Sequence, residues 1–182
     1  MMANHPTLTQ WNKRDRITRW LLIAFCLVLG LETGAGFYEA RVVIPLWSAS
    51  VEAARNWNVG TIYVVDSAPF FAFFTPLLIL TTVATLIVGW KSPQPLRKWL
   101  FVSTGIVLVL IISTIIYFLP TLIAVKGPKL VPFSDADLAT KIRLWVVLNW
   151  MRQLLGLVGF WGALYALGLS YRQEAKAVLA SA

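Results

Sequence analysis

Charged residues are scarce in this chain: they make up 13% of its 182 residues, whereas hydrophobic residues make up 58%. A soluble domain usually carries about 25% charged residues. A fold of this length leaves a large fraction of its surface exposed, so it cannot bury that much apolar surface in its own interior. The composition therefore excludes an ordinary soluble domain and predicts that lipid covers much of the surface.

Cysteine and histidine occur once each, as Cys26 and His5. One thiol cannot form an internal disulfide, and one histidine excludes zinc, bis-histidine haem and two-histidine iron sites of the usual kinds. Two carboxylates without a histidine are a thin ligand set for a hard metal. We therefore predict no metal site and no cofactor, and we interpret Cys26 as a small buried hydrophobe.

Four apolar runs, residues 17–38, 69–90, 99–125 and 144–171, are long enough to cross a bilayer, which takes about 20 residues. Helix is expected because the backbone must satisfy its own hydrogen bonds in lipid. The first run has a basic start but no small-x-small cleavage site, so we interpret it as a retained helix. We predict an all-α fold, a four-helix transmembrane bundle with a long extracytoplasmic link between helices 1 and 2. Residues 1–182 would form a single integral membrane domain.

Basic residues are distributed unevenly between the two predicted sides of the membrane. Nine Lys and Arg lie in the two tails and the second link, against six in the first and third links. This bias favours a multi-pass protein of the inner (plasma) membrane with both termini in the cytoplasm. The net charge of +8 lies in short clusters beside the apolar runs. Because there is no basic stripe with interleaved aromatics, nucleic acid is not predicted as a partner.

The segments next to the spans carry interface signals. In the first link, residues 48–57 are typical of a short helix with a serine cap, and residues 61–65 of an extended or membrane-lying segment. The link could form a lid or lie along the interface, and both interpretations stay open. Pro45 marks the predicted exit of the first span from the membrane. Tryptophans predicted near the interfaces are Trp20, Trp47, Trp90, Trp99 and Trp145.

Three charged side chains are predicted inside the membrane, where a charge is expensive and is a functional candidate by default. With a rise of ~1.5 Å per residue, Glu32 lies roughly 4 Å, Arg152 roughly 9 Å and Glu39 roughly 15 Å outward of the midplane. Glu32 and Glu39 share one helix face with Gly36. The matching face of the fourth span carries Asn149, Arg152, Gln153 and Gly156.

Two interpretations of these polar faces stay open. The charges could form a buried ion pair that fixes helix register, with the glycines allowing close helix contact. Alternatively, the first and fourth spans enclose a polar pocket in the outer half of the bundle. For the pocket we predict Glu32, Glu39 and Arg152 as catalytic residues. The predicted ligand-binding residues are Asn149, Gln153, Tyr38, Tyr117 and Trp150.

Two stretches carry a family resemblance. One is Gly36-x-Tyr38-Glu39-x-x-Val42-Val43-x-Pro45-x-Trp47-Ser48, and the other is Trp145-x-x-x-Asn149-Trp150-x-Arg152. With four spans and this length, the chain resembles the anthrone oxygenase-like family of small four-helix membrane proteins. The resemblance implies oxidation of a phenolic or aromatic small molecule, such as an anthrone, by dioxygen, and the lack of a visible metal or flavin site fits a reaction without a cofactor. In such a reaction Glu32 or Glu39 would act as base, and Arg152 with Asn149 would stabilise the enolate or phenolate oxygen.

Other functions are compatible with the same residues. The chain could be a non-catalytic membrane module that binds a lipid or quinone, or a partner subunit of a larger membrane complex. A proton-coupled carrier is a third reading. The partners expected of the protein are the lipid bilayer and a hydrophobic aromatic small molecule. A second copy of the chain or another membrane protein is also a possible partner. Whether the protein is an enzyme stays open from the sequence.

Overall fold

A computed structural model describes residues 13–57, 67–126 and 133–181 of the chain. These residues form helices and no strand, which confirms the all-α prediction. The helices are α1 (Lys13–Tyr38), α2 (Ile44–Ser48), α3 (Val51–Asn56), α4 (Ala68–Gly89), α5 (Leu96–Ser113), α6 (Leu119–Lys126) and α7 (Asp135–Ser181). Two π-helical segments, π1 (Glu39–Val43) and π2 (Thr114–Phe118), join α1 to α2 and α5 to α6.

Four helical stretches are long and apolar enough to cross a membrane, so the chain is a multi-pass membrane protein. They are span 1 (Lys13–Ser48), span 2 (Ala68–Gly89), span 3 (Leu96–Val125) and span 4 (Asp135–Lys176). The predicted bounds of spans 2 and 3 agree within three residues, whereas spans 1 and 4 are longer than predicted. Hydropathy detects the part of a helix that lipid covers, and both helices continue beyond that part.

The spans form a four-cornered bundle in which each span packs against the spans before and after it, and span 1 closes the ring against span 4. A core of apolar side chains, including Phe25, Leu29 and Val107, fills the centre. At the end where span 1 begins and span 4 ends, here the terminal end, Arg14 donates to the Val88 carbonyl at 2.8 Å and Arg19 pairs with Glu174. These contacts fix span 1 to spans 2 and 4.

The opposite end, here the far end, is closed by part of the first link. Residues 51–56 form the predicted short helix, and the Ser50 side chain caps it by accepting from the Ala53 N–H at 3.0 Å. This helix packs against α6 and α7, and Arg55 donates to the Phe133 carbonyl and the Asp135 carboxylate. The predicted extended segment at 61–65 lies outside the described residues.

Two of the tryptophans predicted near an interface, Trp47 and Trp145, are not on the outer surface of the bundle. Both indoles are buried and pack against each other with ring centroids 5.3 Å apart. The Trp145 Nε1–H donates to the Phe118 carbonyl at 3.1 Å. The helix continues through Pro45 to Ser48, so it extends three residues beyond the predicted exit. Trp20 and Trp90 are exposed, as an interface position requires.

Each π-helical segment ends two residues before a proline, Pro45 after π1 and Pro120 after π2. A proline inside a helix lacks an N–H donor and crowds the carbonyl four residues earlier. A wider π turn at that carbonyl relieves the crowding and keeps the helix continuous. Pro76 lies inside α4 without such a segment, so proline favours the π turn here but does not dictate it.

The buried indole pair predicts unequal effects of two similar substitutions. Trp145→Phe removes the hydrogen bond to Phe118 and part of the ring contact with Trp47, which we expect to cost about 1–2 kcal/mol of unfolding free energy. Trp161→Phe is the control, because Trp161 is 65% exposed on the lipid-facing surface. Thermal unfolding in detergent measures both variants. Equal melting temperatures for the two would contradict the structural role of Trp145.

Candidate functional site

A cluster of polar side chains lies inside the far half of the bundle, and every span contributes to it. Lipid surrounds the bundle at this level, so a polar group here must find its hydrogen-bond partners within the protein. We call it the polar cluster, and it comprises Glu32, Glu39, Ser67, Thr75, Thr114, Asn149, Arg152 and Gln153.

The two glutamates of span 1 are held by hydroxyl groups of span 2. Glu32 accepts a hydrogen bond from Thr75 Oγ1 at 2.9 Å, and Glu39 accepts one from Ser67 Oγ at 2.8 Å. Ser67 is the residue immediately before α4. Each carboxylate therefore has one oxygen on a hydroxyl and further lone pairs free for another donor.

Arg152 of span 4 turns its guanidinium toward span 3. Its Nη1 donates to Thr114 Oγ1 at 3.0 Å, and its Cζ lies 4.6 Å from the centroid of the Phe118 ring. The Thr114 hydroxyl donates its own hydrogen to the Leu110 carbonyl at 2.7 Å, so its lone pairs face the guanidinium. An arginine has five N–H donors, and this contact uses one of them.

No oxygen of Glu32 or Glu39 lies within 4.0 Å of the Arg152 guanidinium. The ion pairs found among the described residues join Arg19 to Glu174 and Arg55 to Asp135. The three charges nevertheless interact electrostatically, and the guanidinium attracts both carboxylates. The closed ion pair that the sequence allowed is therefore absent from this structure. The two carboxylates therefore make no direct contact with the guanidinium.

Two buried amides of span 4 lie on the side of span 1. Gln153 Nε2 donates to Asn149 Oδ1 at 3.4 Å, and both residues are buried. The Gln153 amide rests on Gly36, where an added Cβ would come within 2.3 Å of its Oε1. This contact places residues 152 and 153 level with the segment between Glu32 and Glu39, in agreement with the depth calculated from the sequence. The missing side chain of Gly36 makes room for the amide.

An open groove of about 640 Å³ lies on the outer surface between spans 3 and 4. Apolar side chains dominate its wall, and its polar members are Ser113, Tyr117 and Arg152. Ser113 donates to the Leu110 carbonyl, and Tyr117 and Arg152 carry the other side-chain donors of the wall. Arg152 thus borders both the polar cluster inside the bundle and the groove outside it.

The structure brings together some of the residues predicted for the site and separates others. Glu32, Glu39, Asn149, Arg152 and Gln153 belong to the polar cluster, whereas neither glutamate lines the groove that Tyr117 and Arg152 share. The remaining two side chains, Tyr38 and Trp150, are 54% and 37% exposed, and Trp150 packs its edge against Phe37.

Sequence reasoning missed Ser67, Thr75 and Phe118. Hydroxyls in membrane helices usually bond to their own backbone, and Thr81 and Thr82 do so here. The depth of a residue in the membrane could have indicated Thr75. Span 2 runs antiparallel to span 1, so Thr75, near the start of span 2, approaches the level of Glu32. Depth does not reveal which way a hydroxyl points around the helix axis.

Comparison of the chain with family models, curated proteins and solved structures finds no match. The resemblance to the anthrone oxygenase-like family stays a prediction. Among the residues that the structure describes, no group of three or more His, Cys, Asp or Glu side chains could hold a metal ion. The assignment of function therefore depends on the geometry of the polar cluster and the groove.

The contact between Gly36 and Gln153 predicts different effects of alanine at two neighbouring glycines. Gly36→Ala places a methyl group against the buried amide, which we expect to cost about 1–3 kcal/mol. Gly34→Ala is the control, because nothing lies within 4 Å of its added Cβ and alanine favours the helix. Thermal unfolding in detergent compares them.

A double variant separates this clash from a general effect of alanine on the helix. In Gly36→Ala/Gln153→Ala the amide is absent, so we expect the added methyl group to be tolerated. If Gly36→Ala destabilises the protein equally with and without Gln153, the close contact is not the cause.

Proposed function

We propose that the protein binds an apolar small molecule carrying a phenol or quinone oxygen in the groove between spans 3 and 4, with that oxygen on Arg152. The observation that carries this proposal is the position of the Arg152 guanidinium at the wall of the groove. Within residues 13–57, 67–126 and 133–181 the hydrogen-bond partner of the guanidinium is Thr114, and it borders a groove on the outer surface of the bundle. An arginine in such surroundings favours an oxygen acceptor strongly, because a charge-assisted hydrogen bond is stronger than a neutral one.

The dimensions of the groove support a ligand of this class. Small-molecule sites are usually about 300–1,000 Å³, mostly apolar, with a few placed polar groups. The groove has about 640 Å³, and Tyr117 stands beside Arg152 as a second polar group. A ring system would contact Leu155 and Val158, and an oxygen at its edge would reach the guanidinium.

The position of Arg152 along the bundle supports entry from the bilayer. Arg152 precedes Arg172 by 20 residues in one helix, which corresponds to roughly 30 Å. A hydrocarbon core is about 30 Å thick, so with Arg172 at one edge Arg152 lies toward the other. The groove extends from there to Val158, roughly 9 Å nearer the terminal end. A molecule with one polar end would therefore keep that end near the headgroups.

A cofactor-independent oxygenase is the second candidate function, and one observation favours it. The contact between Gly36 and Gln153 puts Arg152 level with the segment between Glu32 and Glu39, so a carboxylate base and an oxyanion-stabilising cation lie at one level of the bundle. For an anthrone, the methylene carbon would lose two hydrogens and gain one oxygen atom of dioxygen, and the second oxygen atom would leave as water. The family resemblance suggests this reaction, and Asn149 would assist Arg152 at the oxygen.

Binding is tested with anthrone and decylubiquinone as probes in phosphatidylcholine nanodiscs, by quenching of tryptophan fluorescence. Arg152→Leu should weaken binding about 10–100-fold, since a hydrogen bond to a charged group contributes about 1.5–3 kcal/mol. Arg143→Leu, which changes an exposed arginine of the same span, should not.

A second pair of variants tests the groove without removing its charge. Leu155→Trp fills the groove, and Ile87→Trp adds the same ring to an exposed position of span 2. Binding that survives both Arg152→Leu and Leu155→Trp unchanged would refute the site.

Turnover is tested by following anthraquinone absorbance and oxygen uptake with anthrone as substrate. Removal of a general base typically costs 10²–10⁴-fold in rate, so we expect Glu32→Gln or Glu39→Gln to show a loss of this order. Glu52→Gln, at an exposed position of the far end, is the control. Equal rates in wild type and Arg152→Leu would exclude the oxygenase mechanism. Intact binding without turnover would reject the oxygenase and leave the binding function.

A further inference from the structure

Basic side chains surround the terminal end of the bundle, and every span boundary at that end contributes to them. We call this ring the basic collar. Only two acidic side chains, Asp15 and Glu174, lie at the same level within the described residues. The members of the collar are Lys13, Arg14, Arg16, Arg19, Lys91, Arg97, Lys98, Arg172 and Lys176.

Two members of the collar have structural roles inside the protein. Arg14 donates through two nitrogens to the Val88 carbonyl near the end of span 2. Arg19 pairs with Glu174, and its guanidinium lies 5.0 Å from the centroid of the Tyr171 ring. Apart from the pair of Arg19 with Glu174, no ion pair joins a collar cation to an acidic side chain within the part of the chain that the structure describes.

Six other members are exposed, and none forms an ion pair with a described residue. They are Lys13, Arg16, Lys91, Lys98, Arg172 and Lys176. They lie on spans 1 and 4 and on both sides of the link between spans 2 and 3. This distribution makes a ring of unneutralised charge and not a single focused pocket.

The far end differs in charge balance. Its described side chains include the basic residues Arg41, Arg55, Lys141 and Arg143, and three acidic ones, Glu52, Asp135 and Asp137. Arg55 is paired with Asp135, and Lys141 lies over the Phe133 ring. Among the described side chains, the excess of positive charge is therefore much larger at the terminal end than at the far end.

We propose that the basic collar binds the headgroups of anionic phospholipids in the leaflet at the terminal end. The exposed indoles of Trp20 and Trp90 lie at the same end, where tryptophan is typical of the headgroup level. Clustered Lys and Arg beside membrane helices attract anionic lipid, and the attraction falls off within about a Debye length of the surface. Because the cations encircle the bundle, the collar holds several lipids at once. This proposal does not depend on the ligand of the groove.

Native mass spectrometry of the detergent-purified full chain tests the proposal with phosphatidylglycerol and phosphatidylcholine of matched acyl chains. Wild type should retain several phosphatidylglycerol molecules in preference to phosphatidylcholine. The collar variant Lys91→Gln/Lys98→Gln should weaken phosphatidylglycerol binding about fivefold for each charge removed. The matched control Arg41→Gln/Arg143→Gln removes two exposed positive charges from the far end and should leave binding unchanged.

Two results would overturn the proposal. One is equal retention of the two lipids by wild type, which would mean that the collar does not distinguish headgroup charge. The other is an equal loss of phosphatidylglycerol binding in the collar variant and the far-end control. That result would show a response to net charge alone.

Discussion

The guanidinium of Arg152 is the group on which the arrangement of the far half of the bundle depends. A charge inside a membrane is expensive unless protein or water compensates it. Span 3 supplies a hydroxyl and an aromatic ring, Thr114 and Phe118, and span 1 supplies two carboxylates at longer range. Span 2 holds those carboxylates through its own hydroxyls. One buried charge therefore sets requirements on the position of all four helices.

Local backbone geometry supports this arrangement. The π-helical segments begin at Glu39 and at Thr114, so both cluster residues stand where the helical turn widens. A π turn rotates the side chains after it relative to an unbroken α-helix, which changes the face they present. Gly36 adds the last requirement, because only a residue without a side chain leaves room for the amide of Gln153. Pro45 and Pro120, through the π turns before them, and Gly36, through its missing side chain, thus influence where the polar side chains of the cluster lie.

Hydropathy and depth predicted most of the fold and part of the cluster. Charges in apolar runs are rare, so Glu32 and Arg152 stood out, and counting residues from the span ends placed them near one level. The sequence could not show that Arg152 faces Thr114, because a charge on a helix has several neighbours within reach of its side chain. It also could not show that Trp47 and Trp145 are buried, because a tryptophan near a span end fits a lipid interface and a buried aromatic pair equally well.

Charge balance restricts the ligand that the polar cluster can accept. With both glutamates ionised, the two negative charges exceed the single positive charge of Arg152. A permanently anionic ligand on Arg152 would add a third negative charge to a poorly hydrated site, where like charges repel strongly. A neutral phenol or enol avoids this, because it brings no charge of its own and its oxygen can still accept a charge-assisted hydrogen bond from the guanidinium. A quinone adds no charge. Charge balance therefore favours a neutral ligand in the groove over an anionic one.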